Sequence, residues 1–435
     1  MLERIVAALQ ARADLAGWSA REIRSRQVQL YAVPNAIEAR RAAMSERYVI
    51  QILRQTGGSD GSARCGDGSA TLLPGDDIEA AIDTAALTAG LVQNQPYGLP
   101  EPGALPDVPL ADPQIQSNAG QVLDQLHMRL RAAVLAQPHV QLTAAELYAE
   151  EQTIHFRNSR GLEATQIGTA IDLEWVLLCR DGAREAESFV ELRRRRLEDI
   201  DVEAEVASRA RHAADLLRAG APPDYLGAVV LRGATLATFL NGGVIQTLAS
   251  AATKFAKLSR WEVGEPVFHG QADGDPLTVF ANRRLPFGNH AGRFDNEGQP
   301  AQRVELIRYS QLAAFTANQR YAEYLGIPAT GDFGDIELPA GITPAVTLLD
   351  EPHVEVVDFS WFTPDEITGD FSSEIRLGYL VEGDRRTPFK GGALVGNVLD
   401  ALANARWSAE TGFFGDYQGP HIARFAGLRV AGGEV

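Results

Sequence analysis

Histidine is the residue type in this chain best suited to hold a catalytic metal, so the histidine spacing shows whether the sequence encodes such a site. Zinc hydrolases commonly place two histidines one helical turn apart, with a glutamate beside the first that activates water. The histidines here lie singly, with no two within one turn: His127, His139, His155, His212, His269, His290, His353 and His421. The pattern predicts no metal site, and convergence of His269, His290 and His353 in space with acidic residues stays open as an alternative.

The sequence also contains no motif for a catalytic nucleophile and no complete nucleotide-binding loop. The two cysteines, Cys65 and Cys179, lie far apart and outside any C-x-x-C spacing, which excludes a disulfide framework and a zinc site built on thiolates alone. The segment from Gly391 to Gly396 resembles a phosphate-binding loop, but Asn397 stands where that loop needs a lysine. No catalytic residue is therefore predicted for this chain.

The charge balance argues against direct binding to nucleic acid or to a membrane surface. The chain has 40 basic and 57 acidic residues, and its net charge of -17 would repel phosphate groups. Its one basic run, Arg193 to Arg196, is flanked by acids and is predicted to be a solvated strand face. No stretch approaches the roughly 18 apolar residues of a membrane helix, and the N-terminal pattern is interrupted by charges. A cytoplasmic location is expected.

Hydrophobic periodicity predicts an α+β protein in two domains. At 435 residues the chain exceeds the size at which one hydrophobic core keeps growing. The first predicted domain, residues 1–220, mixes helices and strands, and the second, residues 224–435, is rich in strands. Gly220 and the Pro222–Pro223 pair mark the boundary. Closely spaced prolines predict that residues 95–114 of the first domain are an irregular surface excursion.

Several stretches carry apolar residues at helical spacing. They predict a short opening helix and then helices over 76–92, 118–136 and 202–217. A helix over about 234–258 would contain Gly242 and Gly243, and a last helix spans about 395–410. Each glycine costs about 1 kcal/mol relative to alanine inside a helix, so close packing or a bound chain is the expected reason for the pair.

Three later segments are more distinctive than any catalytic signature. The first is FDNEGQPAQRVELI together with ANQRYAEYLGIPATGDFGDIELPAG, the second is GDFSSEIRLGYLVEGDRRTPFKGGALVGNVLDAL, and the third is GPHIARFAGLRVAGG. Each segment places glycines between strand-forming stretches, where the backbone must turn or approach another chain closely.

These segments resemble the hallmark blocks of the TldD/PmbA family, whose paired members TldD and TldE were once described as modulators of DNA gyrase and are regarded as metallopeptidases. The blocks follow the family order along nearly the whole chain. The matching positions are Asn158, Ser159 and Gly161 in an N-S-x-G turn, Asp295, Glu297 and Gly298 in an acidic-glycine turn, and Gly378, Tyr379, Leu380, Gly391, Gly396 and Asn397 in a late block.

One departure from the family pattern identifies the type of subunit. TldD-type subunits carry H-E-x-x-x-H on a helix at the start of the second domain and a further cysteine ligand near the C-terminus. The matching stretch here, about 234–258, has no histidine, and the last cysteine is Cys179. The chain therefore resembles the TldE (PmbA) type, and the zinc ligands of the family cannot be carried over to any residue.

The resemblance implies a two-domain α+β fold and a noncatalytic subunit that pairs with a zinc-bearing TldD-like subunit. It implies no cofactor in this chain, zinc in the partner, and a cavity that admits an unfolded or small peptide as an added strand. Self-association of the chain alone is a further expectation. The residues expected to line the cavity are Asn158, Ser159, Gly161, Asn241, Gly242, Asp295, Glu297, Gly378, Tyr379, Gly391, Gly396 and Asn397.

Two other hypotheses remain at this stage. The chain is either an autonomous metallopeptidase or hydrolase with an unrecognised site, or a protein-interaction module without proteolysis, as the older gyrase description suggests. Metal content of the purified protein distinguishes an autonomous metalloenzyme from a noncatalytic subunit. Retained partner binding in the absence of a TldD-like subunit would favour the protein-interaction module.

Overall fold

The computed structural model describes residues 1–58, 61–270 and 272–432. The last three residues of the second predicted domain, 433–435, lie outside the described residues. Within the described part of the chain, no helix is long and apolar enough to cross a membrane.

An antiparallel sheet of six strands dominates the first half of the chain. Its spatial order is β3-β2-β1-β4-β5-β6. The strands are β1 (Gly17–Val33), β2 (Ala36–Gly57), β3 (Ala63–Leu72), β4 (Val140–Asn158), β5 (Glu163–Asp181) and β6 (Arg184–Arg194). Strand β3 is much shorter than β1 and β2, and its pairing with β2 ends where Leu72 lies opposite Tyr48. Residues 36–47 of β2 extend beyond this pair and are paired with β1 alone.

Four helices pack against this sheet and form two apolar cores with it. They are α1 (Leu2–Gln10), α2 (Ile78–Leu91), α3 (Pro113–Leu135) and α4 (Val202–Arg218). Helices α1 and α2 cover one part of the sheet around Trp18 and Tyr48, and helix α3 covers another around Leu147 and Trp175. The fold class predicted from the sequence, α+β, is confirmed.

Helix α3 starts earlier than the sequence pattern predicted, at Pro113 instead of about residue 118. Asp112 caps it by accepting a hydrogen bond from the backbone N–H of Gln114, and proline is well tolerated in the first turn. Asn118 has non-helical dihedral angles, so the helix is kinked there. The apolar spacing alone detected only the part after the kink.

The proline-rich segment has no helix or strand between residues 95 and 112, as its prolines predict. It is nevertheless more than a surface excursion, because Leu99, Val108 and Leu110 are buried. Asn158 Nδ2 donates to the carbonyl oxygen of Pro100 at 2.9 Å, and other carbonyl oxygens of the segment accept hydrogen bonds from the second half of the chain. The segment therefore joins the two halves.

The described residues of the second half form two further sheets and six short helices. Its helices are α5 (Gly233–Leu240), α6 (Val244–Leu248), α7 (Ala251–Phe255), α8 (Gln319–Leu325), α9 (Ala345–Leu349) and α10 (Val398–Ala403). Its strands are β7 (Tyr225–Arg232), β8 (Val279–Asn282), β9 (Arg303–Arg308), β10 (Gln311–Leu312), β11 (Asp335–Glu337), β12 (His353–Phe359), β13 (Asp370–Glu382), β14 (Arg385–Phe389), β15 (Ala393–Asn397), β16 (Ala405–Trp407), β17 (Thr411–Phe413), β18 (Tyr417–Pro420) and β19 (Ile422–Ala431).

The larger of these two sheets closes on itself. Its strands follow the order β12-β7-β19-β15-β13-β14, and β12 also pairs with β13, which completes a ring of five strands. The smaller sheet has the order β10-β9-β8-β11-β18-β17. Both sheets and helix α5 contribute side chains to one continuous apolar core.

Two predicted helices of the second half are shorter in the structure. The stretch 234–258 forms three short helices. Gly243 adopts a left-handed φ of 95° that separates α5 from α6, and the extended backbone of Ser250 separates α6 from α7. A Cβ atom at Gly242 would lie 2.8 Å from the ring of Phe362, so close packing explains this glycine. The stretch 395–410 contains only α10, which Asn397 caps and which is followed by β16.

Candidate functional site

A cleft of about 870 Å³ lies between the β1–β6 sheet of the first half and the second half of the chain. Its floor consists of side chains from β4, β5 and β6 on the sheet face opposite the helices. Its other wall consists of helix α5, the end of β12 and the loop that follows β12. Ligand sites commonly occur in such clefts between units of a fold, which makes this the candidate functional site.

Two glutamates of the cleft floor, Glu174 and Glu191, belong to a cross-strand row of three glutamates that begins at Glu146. The strand register places Glu146 of β4 directly opposite Glu174 of β5, and Glu174 directly opposite Glu191 of β6. Burial raises the pKa of Glu174, and the neighbouring charges of Glu191 and Glu146 raise it further. Like charges in direct cross-strand positions destabilise a sheet. The row is therefore an unfavourable arrangement for folding, and its members Glu174 and Glu191 present negative charge to the cleft.

In the next cross-strand row, an arginine partly neutralises the negative charge of an aspartate. Gln29, Tyr148, Asp172 and Arg193 occupy successive cross-strand positions. Arg193 Nη1 lies 3.0 Å from Asp172 Oδ1. The Tyr148 hydroxyl donates to Glu146, and this hydrogen bond is the main cause that raises the pKa of Tyr148 to about 12. Glu174 and Glu191 thus form the more negative end of the floor.

Strand β6 borders the cleft with a free edge. Among the described strands only β5 pairs with β6, so one side of the β6 backbone has no strand partner. Phe189, Glu191, Leu192 and Arg193 of this strand line the cleft. An exposed strand edge presents backbone N–H and C=O groups that can pair with an extended peptide.

Helix α5 forms the facing wall with small side chains. It begins at Gly233, whose φ of 56° lies in the left-handed region, and turns Ala234, Thr235, Ala237 and Thr238 toward the cleft. The hydroxyl of Thr235 donates to the carbonyl oxygen of Val357 at 2.7 Å, which fixes the helix against β12. Methyl and hydroxyl groups are poor ligands for zinc, so the side chains on this helix do not fit that metal.

An aromatic group stands at the end of β12. Phe359 and Phe362 pack at a ring-centroid distance of 5.3 Å, and Trp361 between them is 52% exposed. The remaining tryptophans are buried. Asp358 lies 3.7 Å from Arg209, and burial raises the pKa of its carboxyl group. This wall combines apolar surface with one partly buried carboxylate.

The predicted basic run behaves differently from the expected solvated strand face. Arg195 donates from Nε to the carbonyl oxygen of Gly288 at 2.6 Å, and from Nη2 to Asn289 and Ala291 at 3.0 and 2.9 Å. Burial lowers the pKa of Arg195 to about 10, and burial also lowers the pKa of Arg194. The expectation was wrong because the run follows the edge strand into the contact with the second half of the chain.

None of the twelve residues expected from the family blocks lines this cleft. They lie instead at separate turns, caps and strand pairs. Asn158 is buried at the end of β4, where its Oδ1 accepts from the N–H groups of Arg160 and Leu162. Ser159 Oγ accepts from the N–H of Trp18 at 3.1 Å, and Gly161 has a φ of 83°. These contacts define a tight turn between β4 and β5.

Asp295 and Glu297 lie together in a turn that contacts the first half of the chain. Asp295 Oδ1 accepts from the N–H groups of Glu297 and Gln299, both at 2.9 Å, and Gly298 packs on the ring of Phe156. Burial raises the pKa of Asp295, and burial raises the pKa of Glu297 to about 7. The carboxylates here organise a turn at the junction of the two halves.

The glycines and the tyrosine of the late block have structural contacts. A Cβ atom at Gly378 would lie 2.4 Å from the ring of Phe389. The buried Tyr379 donates its hydroxyl to Asp215 Oδ2 at 2.7 Å, which joins β13 to helix α4. Gly391 has a φ of 78° in the bend between β14 and β15, where no atom restricts an added Cβ.

The remaining four expected residues sit at helix ends or in tight packing. Asn397 caps α10, with its Oδ1 accepting from the N–H groups of Leu399 and Asp400. The neighbouring Gly396 faces Leu428, which would lie 2.4 Å from an added Cβ. Asn241 ends α5 and donates from Nδ2 to the carbonyl oxygen of Ala237 at 3.1 Å, next to Gly242.

The three histidines considered as an alternative metal set do not form a ligand group. Within residues 1–58, 61–270 and 272–432, no three His, Cys, Asp or Glu side chains are grouped so that they could hold a metal ion. His353 is buried in β12, and its Nδ1 lies 2.8 Å from the carbonyl oxygen of Glu351.

Sequence reasoning missed the residues that line the cleft. Glu174, Glu191 and Trp361 carry no motif, and each belongs to an ordinary strand or loop pattern. The alternation of side chains along β4, β5 and β6 was the available signal, since it puts every second residue on one face. The strand register was needed to align the glutamates.

Three comparisons with known proteins agree with this architecture. Residues 227–432 match the family model described as the PmbA/TldA metallopeptidase C-terminal domain. An uncharacterised protein of Methanocaldococcus jannaschii is 24% identical over 219 residues, which cover 47% of this chain and 51% of that protein. In this match the chain spans about half the length of its curated relative.

Solved structures resemble the whole chain. A Thermotoga maritima protein described as a modulator of a DNA gyrase has a TM-score of 0.83 at 17% identity and covers 99% of both chains. TldE from Thermococcus kodakarensis has a TM-score of 0.78 at 17% identity, also over 99% of both chains. A Bacteroides thetaiotaomicron protein with the gyrase-modulator description has a TM-score of 0.81 at 16% identity, over 99% of this chain and 98% of that one. Residues 227–432 are thus identified as a C-terminal domain of the TldD/PmbA type, and the whole chain has the fold of the TldE and gyrase-modulator structures.

Proposed function

We propose that this chain is a noncatalytic, TldE-like subunit that pairs with a zinc-bearing TldD-like subunit to form a metalloprotease for unfolded or small peptides. The observation that carries the proposal is the surface of helix α5 in the cleft. Its cleft-facing side chains are Ala234, Thr235, Ala237 and Thr238, in the stretch where TldD-type sequences carry their histidines. These side chains do not fit zinc, so the metal is assigned to the partner.

In this proposal the chain contributes to substrate binding. A peptide in extended conformation pairs with the free edge of β6, and its backbone hydrogen bonds do not depend on sequence. The floor residues Glu174 and Glu191 favour basic side chains, and Trp361 on the opposite wall offers an apolar surface. An unfolded chain can enter such a cleft, whereas a folded domain is too large for a cleft of about 870 Å³.

The test is peptidase activity on an unstructured, internally quenched peptide that contains lysines. The assay compares this chain alone, a cognate TldD-like protein alone and their mixture, each with and without a zinc chelator. We expect cleavage only in the mixture and none with the chelator. Chelator-sensitive cleavage by this chain alone would overturn the proposal and support an autonomous enzyme.

A matched pair of variants tests the role of the cleft in the mixture. Glu191→Lys reverses a charge in the cleft, and Glu187→Lys reverses an exposed charge on the same strand outside it. We expect Glu191→Lys to lower kcat/KM for the lysine-containing peptide about tenfold, or roughly 1.4 kcal/mol, and Glu187→Lys to leave it unchanged. Equal effects of the two variants would assign peptide binding elsewhere.

The gyrase-modulator description of two similar structures supports one second candidate function. In that case the chain binds a protein partner without any proteolysis. Binding to purified gyrase subunits in the absence of a TldD-like protein would favour this candidate. Zinc in the partner and a cytoplasmic location stay predictions of the main proposal.

A further inference from the structure

Strands β12 and β13 do not pair residue by residue beside the cleft. Asp358 of β12 lies opposite Leu377 of β13, and the next pair, two residues along β13, joins Phe359 to Ile375. Arg376 is therefore an extra residue of β13 with no partner in β12. A β-bulge of this kind redirects the side chain of its extra residue, and bulges are common beside binding sites. The two neighbours of Arg376 on β13 are buried, whereas Arg376 itself lines the cleft.

The guanidinium group of Arg376 is half-buried without a close counter-charge. It makes no hydrogen bond or ion pair with any residue that the structure describes, although acidic residues outnumber basic ones by 57 to 40 in this chain. The charge of Arg376 lowers the pKa of Asp358, but burial has the larger effect and raises it. The donors of this arginine are thus left for a ligand in the cleft.

Arg209 of helix α4 adds a second guanidinium group to the lining of the cleft. Its Nη1 lies 3.7 Å from Asp358 Oδ2, which is too far for a hydrogen bond. Its Nε contacts Glu205 at 2.9 Å, and Glu205 lies outside the set of residues that line the cleft. Asp358 thus faces two arginines, and its single carboxylate can neutralise only one of them.

We infer that Arg376 and Arg209 form a subsite for a carboxylate group of a bound peptide. The inference rests on the proposed function, because it requires that the cleft holds a peptide. An arginine can bind a carboxylate through two parallel hydrogen bonds, which fix its position and neutralise its charge together. The rings of Phe359 and Trp361 line the same wall, and their apolar surface strengthens an ion pair beside them.

Such a subsite sets the register of the peptide. Backbone pairing with a strand edge leaves the register weakly specified when the side chains carry no preference. A carboxylate held at Arg376 fixes one point of the peptide, and a basic side chain held by Glu174 and Glu191 fixes a second. The carboxylate belongs either to the C-terminus of the peptide or to an aspartate or glutamate side chain, and both present the same group to the arginines.

Fluorescence anisotropy of labelled peptides with the full chain alone tests the subsite without any cleavage. A short lysine-containing probe is prepared with a free C-terminal carboxylate and as the C-terminal amide. The amide is also prepared with one internal glutamate and, as its neutral counterpart, with glutamine. We expect at least one of the two carboxylate-bearing probes to bind about tenfold more tightly than its neutral counterpart. A preference for the free acid assigns the subsite to the C-terminus, and a preference for the glutamate probe assigns it to a side chain.

Variants in and beside the cleft test which residues carry this preference. Arg376→Gln should abolish it, and Arg385→Gln, at an exposed position of strand β14 outside the cleft, should keep it. Asp358→Asn removes the competing carboxylate and should enlarge the preference. Because Arg376 has no ion pair to lose among the described residues, its variant should keep the thermal unfolding temperature of the unaltered chain, which separates binding from folding.

The outcomes distinguish this inference from the proposed function. Equal binding of the charged and neutral probes would overturn the carboxylate subsite and leave the peptide cleft in place. A preference that survives in Arg376→Gln, or that is lost equally in Arg385→Gln, would also overturn the subsite. A chain that binds none of the probes would overturn the proposed peptide-binding role and the subsite together.

Discussion

Arg195 Nε donates a hydrogen bond of 2.6 Å to the carbonyl oxygen of Gly288, and this contact fastens the segment after the β6 edge strand to the second half of the chain. The same guanidinium also reaches the carbonyl oxygens of Asn289 and Ala291. The position of the cleft wall therefore depends on a side chain that the charge pattern assigned to solvent.

Removal of this guanidinium is expected to destabilise the protein strongly. Arg195→Ala leaves three carbonyl oxygens without a donor and should lower the free energy of unfolding by about 2–4 kcal/mol. Arg195→Lys keeps the charge but cannot reach all three acceptors, so an intermediate loss is expected. Urea unfolding measures both, with the exposed Arg184→Ala as the control; a loss no larger than that of the control would show that the contact contributes little.

The buried carboxyl group of Asp335 predicts a pH dependence of stability. Burial raises its pKa from 3.8 to about 7, although its Oδ1 accepts from the N–H of His290. The folded state therefore keeps its proton at a pH where the unfolded chain has lost it, so this group lowers the free energy of unfolding as pH rises from about 4 to about 7. Asp335→Asn should remove this contribution, on the order of 4 kcal/mol.

The measurement is urea unfolding of both proteins at pH 5, 6, 7 and 8. The advantage of Asp335→Asn over the unaltered chain should grow from pH 5 to about pH 7 and level off by pH 8. The exposed Asp384→Asn serves as the matched control and should show no such trend. A constant difference between the two proteins would mean that Asp335 does not titrate in this window.

Two glycines of the late family block should respond differently to alanine. At Gly378 the added Cβ would lie 2.4 Å from the ring of Phe389, so Gly378→Ala should destabilise by roughly 1–3 kcal/mol. At Gly391 the added Cβ meets no atom, and the cost is that of a φ of 78°, about 1 kcal/mol. Thermal unfolding measures both. A change in peptidase activity of the Gly391 variant at unchanged stability would instead indicate a substrate contact.

The cap at the start of helix α10 predicts that two substitutions of Asn397 destabilise the protein to different extents. Asn397→Ala removes the acceptor for two N–H groups and should cost about 1–2 kcal/mol. Asn397→Ser keeps a capping oxygen and should recover most of that loss, although it loses the donor to Thr368. Equal losses for the two variants in urea unfolding would show that the hydrogen bonds from Asn397 Nδ2 to Thr368 and Asp370, and not the cap, stabilise this region.

The row of glutamates on the cleft floor predicts opposite effects on stability and on binding. Glu174→Gln relieves repulsion by Glu146 and Glu191, and should stabilise the protein by about 0.2–1 kcal/mol. The same variant should weaken binding of a lysine-rich peptide, measured by fluorescence of the exposed Trp361. Trp361→Phe is the control that removes the signal. A stabilised variant with unchanged peptide affinity would show that the row has no binding role.

Local chemistry allowed the sequence to predict many elements. Acidic residues before residue 78 predicted the start of α2, where Asp77 accepts from the N–H of Ala80, and apolar periodicity predicted α4 within one residue of its observed end. The same reasoning failed at Gly243, because the periodicity of the apolar residues continues through a glycine whose backbone is left-handed. The family blocks predicted the fold type, but their residues occupy turns and caps outside the cleft.

The class of fold, the family resemblance and several helices could be predicted from the amino-acid sequence, because these depend on neighbouring residues and on short periodic patterns. The cleft, its glutamates and the free edges of β2 and β6 arise only from tertiary packing. Glu146, Glu174 and Glu191 are distant in sequence and become neighbours only through strand register. Register depends on the pairing of whole strands, and edge exposure depends on where a neighbouring strand ends, so neither is encoded at any single position.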